Sequence, residues 1–506
     1  MMKVKQAPIS ALRAAANAVS KAGRLPLRAM FANDERSLNG NFVLYLLFEG
    51  DSGGFTLLKS NIDARQPLEY PSLTPLLPAA AWYEREIHDL FGLTPLGHPD
   101  LRPLVLHDPW PEECHPLRKD FVNLPESTDA GRKTPVKPLA AVHGEGVFEV
   151  PVGPIHAGII EPGHFRFSQA GENVIRLDPT LFFTHRGIEK SLEGLPVERA
   201  IYRIERICGV CSVSHALSFS QAAEAIAGTV VPLRAQYLRV LLAELERLYN
   251  HIGDIGNLCA GVGFAVGASQ AARQKETLMR FNEELAGNRF LRGLIVPGGV
   301  TEDINGELIR HASSLINALL PDFMQLVEIL ENSAGFIDRC RQTGVLPRQV
   351  AADLAVVGPA ARASGLDGDF RRDHPYAVYD QLEYRVPVRR HGDVEDRLWL
   401  RVAEVRESCE VVRQTLAFLA SQKGECRTEL SFPATGGSSF GWSESARGAN
   451  LHWLMLDANR RIYRYVIRSA SYPNWPAVAQ AAPGNIIADF PLINKSFELC
   501  YACLDR

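Results

Sequence analysis

The feature that most constrains this chain is a set of four cysteines arranged as two Cys-x2-Cys pairs far apart in the sequence. Cys208 and Cys211 form the first pair, and Cys500 and Cys503 follow roughly 290 residues later. A two-residue spacer lets both sulfurs of a pair point at one ion, and thiolates suit soft, thiophilic metals. The pairs of a local zinc ribbon lie about 15 to 20 residues apart, so a shared site here requires a folded domain. The sequence favours one shared metal site, with unlinked or structural cysteines as the alternative.

The composition is that of an ordinary globular protein. A length of 506 residues allows two to four domains, and 46% hydrophobic and 22% charged residues are typical values. With 54 basic and 58 acidic residues, the net charge of -4 indicates no general attraction to nucleic acid or anionic membranes. Nine cysteines are too few for a disulfide scaffold and odd in number, which favours a reducing compartment.

Membrane attachment is not visible in the sequence itself. The segment Met1 to Arg13 lacks the apolar core of a secretory signal, and we find no apolar run near 18 residues. We therefore expect no direct membrane span, so that other subunits must hold the protein at any membrane where it works.

The first part of the chain predicts a small α+β domain. Strand-like runs at residues 41–48 and 55–58 flank a glycine-containing reversal, which indicates a hairpin. After a proline-rich turn, residues 81–91 have the spacing of a short amphipathic helix that ends at Gly92. We expect the charged side chains of this helix to be solvated.

Three ordered motifs support a family resemblance for this domain. The helix contains Glu84-Arg85-Glu86 followed by Asp89, Phe91 and Gly92, and two further segments follow, His-Pro-Asp-Leu-Arg at 98–102 and His-Pro-Leu-Arg-Lys-Asp at 115–120. As a set they resemble the 30-kilodalton subunit of respiratory complex I. The resemblance implies a complex I 30-kilodalton-subunit-like domain over residues 1–122, with the motifs covering about 30–122.

Composition and periodicity divide the rest of the chain. Residues 123–146 are rich in proline, glycine and polar residues without periodicity, which predicts a linker before a second unit at 147–506. Stripes of apolar residues with three-and-four spacing run through 238–252 and 398–419, so we expect long helices packed lengthwise and Cys409 in the core. Strand-like runs at 451–456 and 462–467 add a β element. The predicted fold is multidomain: an α+β domain, then a mainly α-helical domain with small β elements.

The cysteine motifs of this second unit resemble those of the catalytic large subunit of nickel-iron hydrogenases. The motifs are Arg206-x-Cys208-Gly209-x-Cys211-x3-His215 and Cys500-x2-Cys503-x2-Arg506, and the resemblance is to the membrane-bound group 4, formate hydrogenlyase type. It implies a Ni-Fe centre in which Cys211 and Cys503 bridge the metals, Cys208 and Cys500 bind nickel alone, and iron carries CN and CO. The chemistry is consistent, because thiolates supply electron density and a terminal thiolate can accept a proton when hydrogen is split.

The resemblance also implies roles for three charged residues. Glu161 matches the glutamate that passes protons between a terminal cysteine and the surface, and Arg447 matches the arginine beside the open metal position. Glu189 resembles a ligand of a magnesium site, although a helix-surface glutamate paired with Lys190 or Arg186 fits the sequence nearly as well. A surface turn and an exposed loop remain the structural alternatives for Glu161 and Arg447.

The segment before the last cysteine pair departs from the family pattern, and two histidines lie near the cysteine motifs. Relatives often carry Asp-Pro before the last cysteine pair, and this chain has Glu498-Leu499, so the surroundings of the site are expected to differ in shape. We expect His185 and His215 to orient neighbouring groups by hydrogen bonds rather than to bind metal.

Three functions follow from these motifs. The first is a hydrogenase whose electrons pass to an iron-sulfur cluster in a small subunit, with a ferredoxin-like subunit and antiporter-like membrane subunits as further partners. Its expected location is the cytoplasmic, inner face of the cell membrane. The second is a complex I-like, quinone-reducing module, whose members lack the four cysteines. The third is an assembly scaffold stapled by zinc. Metal content distinguishes the first function from the other two.

Overall fold

The computed structural model of the chain describes residues 2–50, 53–107, 110–122, 140–156 and 161–506. The predicted linker at 123–146 lies outside these residues except for its last part. The strands are β1 (Met2–Gln6), β2 (Leu27–Glu35), β3 (Asn41–Glu49), β4 (Phe55–Asp63), β5 (Glu69–Pro71), β6 (Thr94–Leu96), β7 (Val147–Val152), β8 (His164–Ala170), β9 (Asn173–Thr180), β10 (Ile295–Val296), β11 (Gly299–Val300), β12 (Gly437–Ser445), β13 (Gly448–Leu456) and β14 (Ile462–Arg468).

Helices make up most of the second unit. They are α1 (Leu12–Val19), α2 (Arg36–Asn39), α3 (Ala81–Phe91), α4 (Ile188–Leu192), α5 (Val197–Ile204), α6 (Ser212–Ala227), α7 (Leu233–Gly261), α8 (Ala265–Ala286), α9 (Gly306–Glu331), α10 (Ala334–Cys340), α11 (Arg348–Asp353), α12 (Gly358–Ala363), α13 (Phe370–Asp373), α14 (Val394–Ser421), α15 (Ser471–Ala481), α16 (Phe490–Phe497) and α17 (Tyr501–Asp505). Short 3-10 turns lie at Ile9–Ala11, Pro78–Ala80, Tyr379–Gln381 and Ile487–Asp489.

The N-terminal domain is built on a four-stranded sheet of order β1-β4-β3-β2. Strand β1 runs parallel to β4, and the other two pairings are antiparallel, including the predicted hairpin of β3 and β4. The central strand β3 is buried on both faces: Leu44 and Leu46 join one core, whereas Tyr45 joins a second core with Trp453. This double burial explains its nearly continuous apolar sequence.

In α3, Glu84 and Asp89 are buried and Arg85 and Glu86 are half-buried, so the expectation that these charges are solvated was wrong. Glu84 is fully buried and accepts hydrogen bonds from the 72–74 loop. Arg85 donates to two carbonyl groups of the 102–106 loop, and Asp89 accepts three of its amides. The helix charges therefore hold two loops in place, since buried backbone groups need partners.

The second unit confirms the predicted mixture of long helices and small sheets. Helix α7 lies between α8 and α14, and α9 packs against α14. The apolar stripes predicted from the sequence form these contacts, and Cys409 on α14 is fully buried as expected. An antiparallel sheet of order β7-β8-β9 precedes the helices. Among the described residues, none of the helices combines the length and apolar character that a bilayer span requires.

An antiparallel sheet of order β12-β13-β14 joins the two parts of the chain. One face contributes Trp453 to the core shared with β2 and β3, where its ring lies 5.0 Å from the rings of Phe31 and Tyr45. Strand β12 also packs against α6 so closely that a β-carbon at Gly441 would lie 2.0 Å from the Ser218 carbonyl oxygen. The turn between β12 and β13 is thereby directed towards α7.

Candidate metal centre

The four predicted cysteines meet at one place. Cys208 lies in the loop after α5, Cys211 caps the start of α6, and Cys500 and Cys503 lie at the start of α17 and inside it. The Sγ atoms of Cys208 and Cys500 are 3.1 Å apart, and those of Cys208, Cys211 and Cys503 all lie within 4.8 Å of one another. Cys500 is partly exposed and the other three are buried, and all four are free thiols.

Backbone amides support negative charge on these sulfurs. The Val210 amide donates to Cys208 Sγ at 3.3 Å, and the Cys503 amide donates to Cys500 Sγ at 3.2 Å. Hydrogen bonds from the neighbouring thiols of Cys211, Cys500 and Cys503 hold the pKa of Cys208 well below its usual value. The lowered pKa favours the thiolate form of Cys208, the form that binds metal.

Helix α7 fixes the loop of the first pair. Glu246 accepts hydrogen bonds from the amides of Val213 at 2.7 Å and Ser214 at 3.0 Å, which lie in the first turn of α6. The Asn250 side chain donates to the Val210 carbonyl at 2.7 Å. Burial raises the pKa of Glu246 to about 7. One turn of α7 thus satisfies the backbone groups that the tight cysteine loop leaves without helical partners.

Arg186 joins the two cysteine segments directly. Its Nη2 donates to the carbonyl of Ile207 at 2.7 Å and to the carbonyl of Ala502 at 2.9 Å. These carbonyl groups immediately precede Cys208 and Cys503. A planar guanidinium can hold two acceptors in fixed geometry, so Arg186 sets the spacing between the pairs. The sequence indicated Arg186 only as a possible partner of Glu189, and nothing in it predicted this role.

A chain of buried rings approaches Cys503. His215 Nε2 lies 3.4 Å from Cys503 Sγ, His215 Nδ1 lies 2.9 Å from His452 Nε2, and His452 Nδ1 contacts the Tyr465 hydroxyl. Burial lowers the pKa of His215 to about 4 and that of His452 well below its usual value, so both rings are neutral. When Cys503 is a thiolate, His215 Nε2 donates to its sulfur, His452 Nε2 donates to His215 Nδ1, and the Tyr465 hydroxyl donates to His452 Nδ1. This order of donors fixes one tautomer for each ring. His215 is therefore within hydrogen-bond distance of both Cys503 and His452.

Arg447 lies at the turn between β12 and β13 and is almost completely buried. Its guanidinium donates to Asn250 Oδ1 at 2.6 Å and Asp254 Oδ1 at 2.9 Å, and its Nε donates to the Glu498 carbonyl at 2.9 Å. Burial alone would lower its pKa, but the nearby Asp254 carboxylate holds it above the usual value. Arg447 is therefore not an exposed loop residue, which was the structural alternative. Its partners on α7 were not predicted.

Glu161 contacts the second pair from the protein surface. Its Oε2 accepts a hydrogen bond from the Ala502 amide at 3.2 Å, while the residue as a whole is exposed. Burial of its carboxyl end raises its pKa. Glu161 therefore lies between the exterior and the segment that joins Cys500 to Cys503.

Three family descriptions match the chain. "Respiratory-chain NADH dehydrogenase, 30 Kd subunit" matches residues 5–127, "Nickel-dependent hydrogenase" matches residues 186–260, and "Respiratory-chain NADH dehydrogenase, 49 Kd subunit" matches residues 262–435 and 426–506. The chain is 36% identical to formate hydrogenlyase subunit 5 of Escherichia coli over 95% of its own length and 84% of that protein. It belongs to the family of formate hydrogenlyase large subunits. Hydrogenase-4 component G of the same organism is also 36% identical, over 96% of this chain and 84% of that protein.

The family extends to complex I proteins and other respiratory complexes. An NADH-quinone oxidoreductase protein from Gluconacetobacter diazotrophicus is 29% identical over 92% of this chain and 84% of that protein. A solved chain of the membrane-bound sulfane sulfur reductase, described as an archaeal respiratory membrane complex, has a TM-score of 0.67 and 27% identity, covering 72% of this chain and 99% of that chain. The resemblances to both complex I and hydrogenase proteins are confirmed.

The family resemblance implies a nickel site and a magnesium site, and the residues present fit only the first. Four converging thiols suit a soft metal such as nickel. The Glu189 site does not fit magnesium, because its carboxylate accepts hydrogen bonds from Arg464 at 2.9 Å, Arg506 at 3.0 Å and the Ile467 amide at 2.9 Å. Two guanidinium groups already neutralise this buried carboxylate, and they would repel a cation. The alternative of a surface glutamate is also wrong, since Glu189 is buried among these partners.

Proposed function

We propose that this chain is the catalytic large subunit of a membrane-associated nickel-iron hydrogenase of the formate hydrogenlyase type, interconverting hydrogen with protons and electrons. The convergence of four thiols from segments far apart in the sequence supports this proposal most directly. Complex I-like relatives share the fold, so the fold alone does not distinguish the two activities. The four thiols favour the hydrogenase activity, because a quinone cavity has no need for four cysteines around one point.

In this proposal the cysteines bind the metals, and the surrounding residues fix the positions of the cysteines. Cys211 and Cys503 would be ligands shared by nickel and iron, and Cys208 and Cys500 would be ligands of nickel alone. When bound, the centre with its iron-held CN and CO supplies the redox chemistry of hydrogen. The buried rings from Tyr465 to His215 direct a hydrogen bond at Cys503, which fixes the orientation of that ligand.

Proton exchange with solvent is proposed for Glu161. Its carboxylate accepts a hydrogen bond from the Ala502 amide, which lies between Cys500 and Cys503 in the sequence, so it is next to the segment that carries these thiols. A carboxyl group whose pKa is raised by burial suits this work. Arg447 has a different role: its fixed positive charge stabilises negative charge at the thiol cluster without taking part in proton transfer, because an arginine stays protonated.

Electrons are proposed to leave through an iron-sulfur small subunit. Gly209, between the first two thiols, is exposed, so this side of the cluster lies just beneath the surface. Elsewhere, Tyr202 on α5 is 58% exposed and Phe183 is 38% exposed, and exposed aromatic side chains of this kind suit burial under a partner. A ferredoxin-like subunit and antiporter-like membrane subunits would complete the assembly and hold it at the cytoplasmic face of the cell membrane.

A complex I-like quinone-reducing module is the second candidate function. The NADH-quinone oxidoreductase relatives and the two matching NADH dehydrogenase descriptions favour it. Under this proposal the thiols have no redox role, and their substitution leaves activity unchanged. A zinc-stapled scaffold is distinguished by stoichiometric zinc in place of nickel.

Metal analysis of protein produced with its maturation factors tests the proposal. We expect stoichiometric nickel, together with infrared bands of metal-bound cyanide and carbon monoxide. Cys208→Ser and Cys503→Ser should each abolish these bands and hydrogen turnover. Cys114→Ser is the matched control, since Cys114 is a free, partly buried thiol of the N-terminal domain. Well-folded wild-type protein without nickel would refute the hydrogenase function.

A further inference from the structure

The guanidinium of Arg506 connects the cysteine-bearing helix α17 with both domains. Its Nη2 lies 2.7 Å from Glu86 on α3 of the N-terminal domain, and its Nη1 lies 3.0 Å from Glu189 on α4. Nη1 also donates to the Ile467 carbonyl at 2.9 Å, and the guanidinium lies over the ring of Tyr472. Arg506 is 3% exposed, so these contacts are sheltered from water.

Glu86 is one of the two carboxylate partners of Arg506. Arg464 and Arg506 both pair with Glu189, which gives two buried cations for one carboxylate. Glu86 supplies the second carboxylate, and its side chain is only 15% exposed. Removing one member of a buried charge set leaves an uncompensated charge, which is strongly unfavourable. Without Glu86, Arg506 would carry an uncompensated buried charge, and we expect it to lower its free energy by moving out towards solvent.

Movement of Arg506 would carry the second cysteine pair with it. Arg506 lies one helical turn after Cys503, and α17 is only five residues long. The first turn of this helix is held by Cys500 Sγ, which accepts the Cys503 amide. A helix this short has little stability of its own and depends on contacts at its two ends.

We propose that Glu86 is a positioning residue for the thiol site: through Arg506 it holds α17, and with it Cys503, against the first cysteine pair. The N-terminal domain is then part of the metal centre's support rather than a separate docking unit. The proposal concerns the placement of the thiols and does not depend on which metal they bind. Its outcome is therefore separable from that of the hydrogenase proposal.

Alkylation of the metal-free, full-length chain tests this placement. With iodoacetamide at neutral pH, Cys503 of the Glu86→Gln variant should react about tenfold faster than wild type, since local opening determines access to a thiol that is 2% exposed. The reaction is followed by peptide mass spectrometry, with Cys114 in the same digest as the internal reference. An unchanged Cys503 rate would overturn the proposal.

Glu49→Gln is the matched control. Glu49 also belongs to the N-terminal domain, pairs across the domain boundary with His374 at 3.0 Å, and is 17% exposed. Its loss disturbs the domain contact without touching α17, so Cys503 reactivity should stay at the wild-type level. An equal increase in both variants would show general loosening and overturn the specific role of Glu86.

A conservative variant at Glu86 distinguishes the effect of its negative charge from the effect of its side-chain volume. Glu86→Asp keeps the negative charge beside Arg506, so its Cys503 reactivity should lie closer to wild type than that of Glu86→Gln. The same order should appear in hydrogen exchange of the α17 amides. If the aspartate variant reacts as fast as the glutamine variant, charge balance is not what holds the helix, and the proposal fails.

Discussion

Asp254 on α7 is the carboxylate that holds Arg447 beside the thiol cluster. Its Oδ1 accepts a hydrogen bond from Arg447 Nη2 at 2.9 Å, and its Oδ2 lies 3.4 Å from Arg401 Nε. All three residues are buried. One carboxylate therefore serves two guanidinium groups, and the position of Arg447 depends on a residue nearly 200 positions earlier in the chain.

Replacing Asp254 should be strongly destabilising. Asp254→Asn leaves two buried arginines without their shared counter-ion, so we expect the free energy of unfolding to fall by about 3–5 kcal/mol. Urea denaturation of the purified chain measures this. Asp322→Asn is the control, because its 2.7 Å pair with Arg273 lies on the surface and should contribute less than about 1 kcal/mol. Equal effects of the two substitutions would contradict the role given to Asp254.

Arg186 should determine how tightly the four thiols retain a metal. Arg186→Gln removes the bridge between the carbonyls of Ile207 and Ala502, so the two pairs lose their fixed spacing. Losses of such supporting contacts typically reduce metal affinity by about 10- to 100-fold. Competition with a chelator, followed by metal analysis, provides the measurement. Arg280→Gln, on the exposed side of α8, should match wild type.

Tyr465 should stabilise the fold through the end of the histidine chain. Tyr465→Phe leaves the His452 Nδ1 atom buried without its hydroxyl partner, a loss of about 1–3 kcal/mol. Thermal or urea unfolding tests this difference. The same substitution at Tyr202, which is 58% exposed, should change stability by less than about 0.5 kcal/mol. A neutral result at Tyr465 would mean that the buried ring is satisfied in another way.

Sequence patterns predicted those parts of the protein that follow from local spacing. The apolar stripe of α14, with Cys409 in the core, and the hairpin of β3 and β4 depend on neighbours a few positions away. The two cysteine pairs could be predicted to meet because two Cys-x2-Cys pairs are typical ligands of a single metal ion. These features need no knowledge of how the domains are placed.

The residues that sequence analysis missed act across long separations. Nothing in the order of residues along α7 marks Asp254 as the partner of Arg447, since a buried aspartate and a solvated one look alike in sequence. The charges of α3 were expected in solvent for the same reason, although Glu86 faces Arg506. The magnesium interpretation of Glu189 was wrong because the guanidinium groups that replace a cation come from β14 and from Arg506.

Acid should weaken the domain boundary through Glu49. Burial alone would raise its pKa, but the Arg28 guanidinium and His374 lower it to about 2 from the usual 4.5. A lowered pKa means that ionised Glu49 contributes stability above pH 4.5 and loses it as the pH falls towards 2. The shift corresponds to about 3 kcal/mol. Urea unfolding from neutral to acid pH should show Glu49→Gln less stable at neutral pH and approaching wild type at the acid end; parallel curves would contradict this.

Gly358 should be irreplaceable because of where it meets the Arg447 turn. It adopts φ +67, and a β-carbon there would lie 2.3 Å from the Arg447 carbonyl oxygen and 2.5 Å from Gly448 Cα. Both contacts are with backbone, which cannot swing aside, so Gly358→Ala must push the turn away from α12. We expect an overpacking cost of roughly 1–3 kcal/mol beyond the strain of the left-handed backbone.

A second glycine separates overpacking at Gly358 from backbone strain. Gly287 after α8 has φ +63 and nothing within 4 Å of the added carbon, so Gly287→Ala carries only the conformational cost of about 1–2 kcal/mol. Urea unfolding gives the difference between the two variants, and hydrogen exchange at residues 445–448 reports the displaced turn. Because Arg447 reaches Asn250 and Asp254 from this turn, the same displacement should reduce the activity of the Gly358 variant while the Gly287 variant keeps it. Equal stabilities and unchanged exchange would show that the close approach of Gly358 does not determine where Arg447 lies.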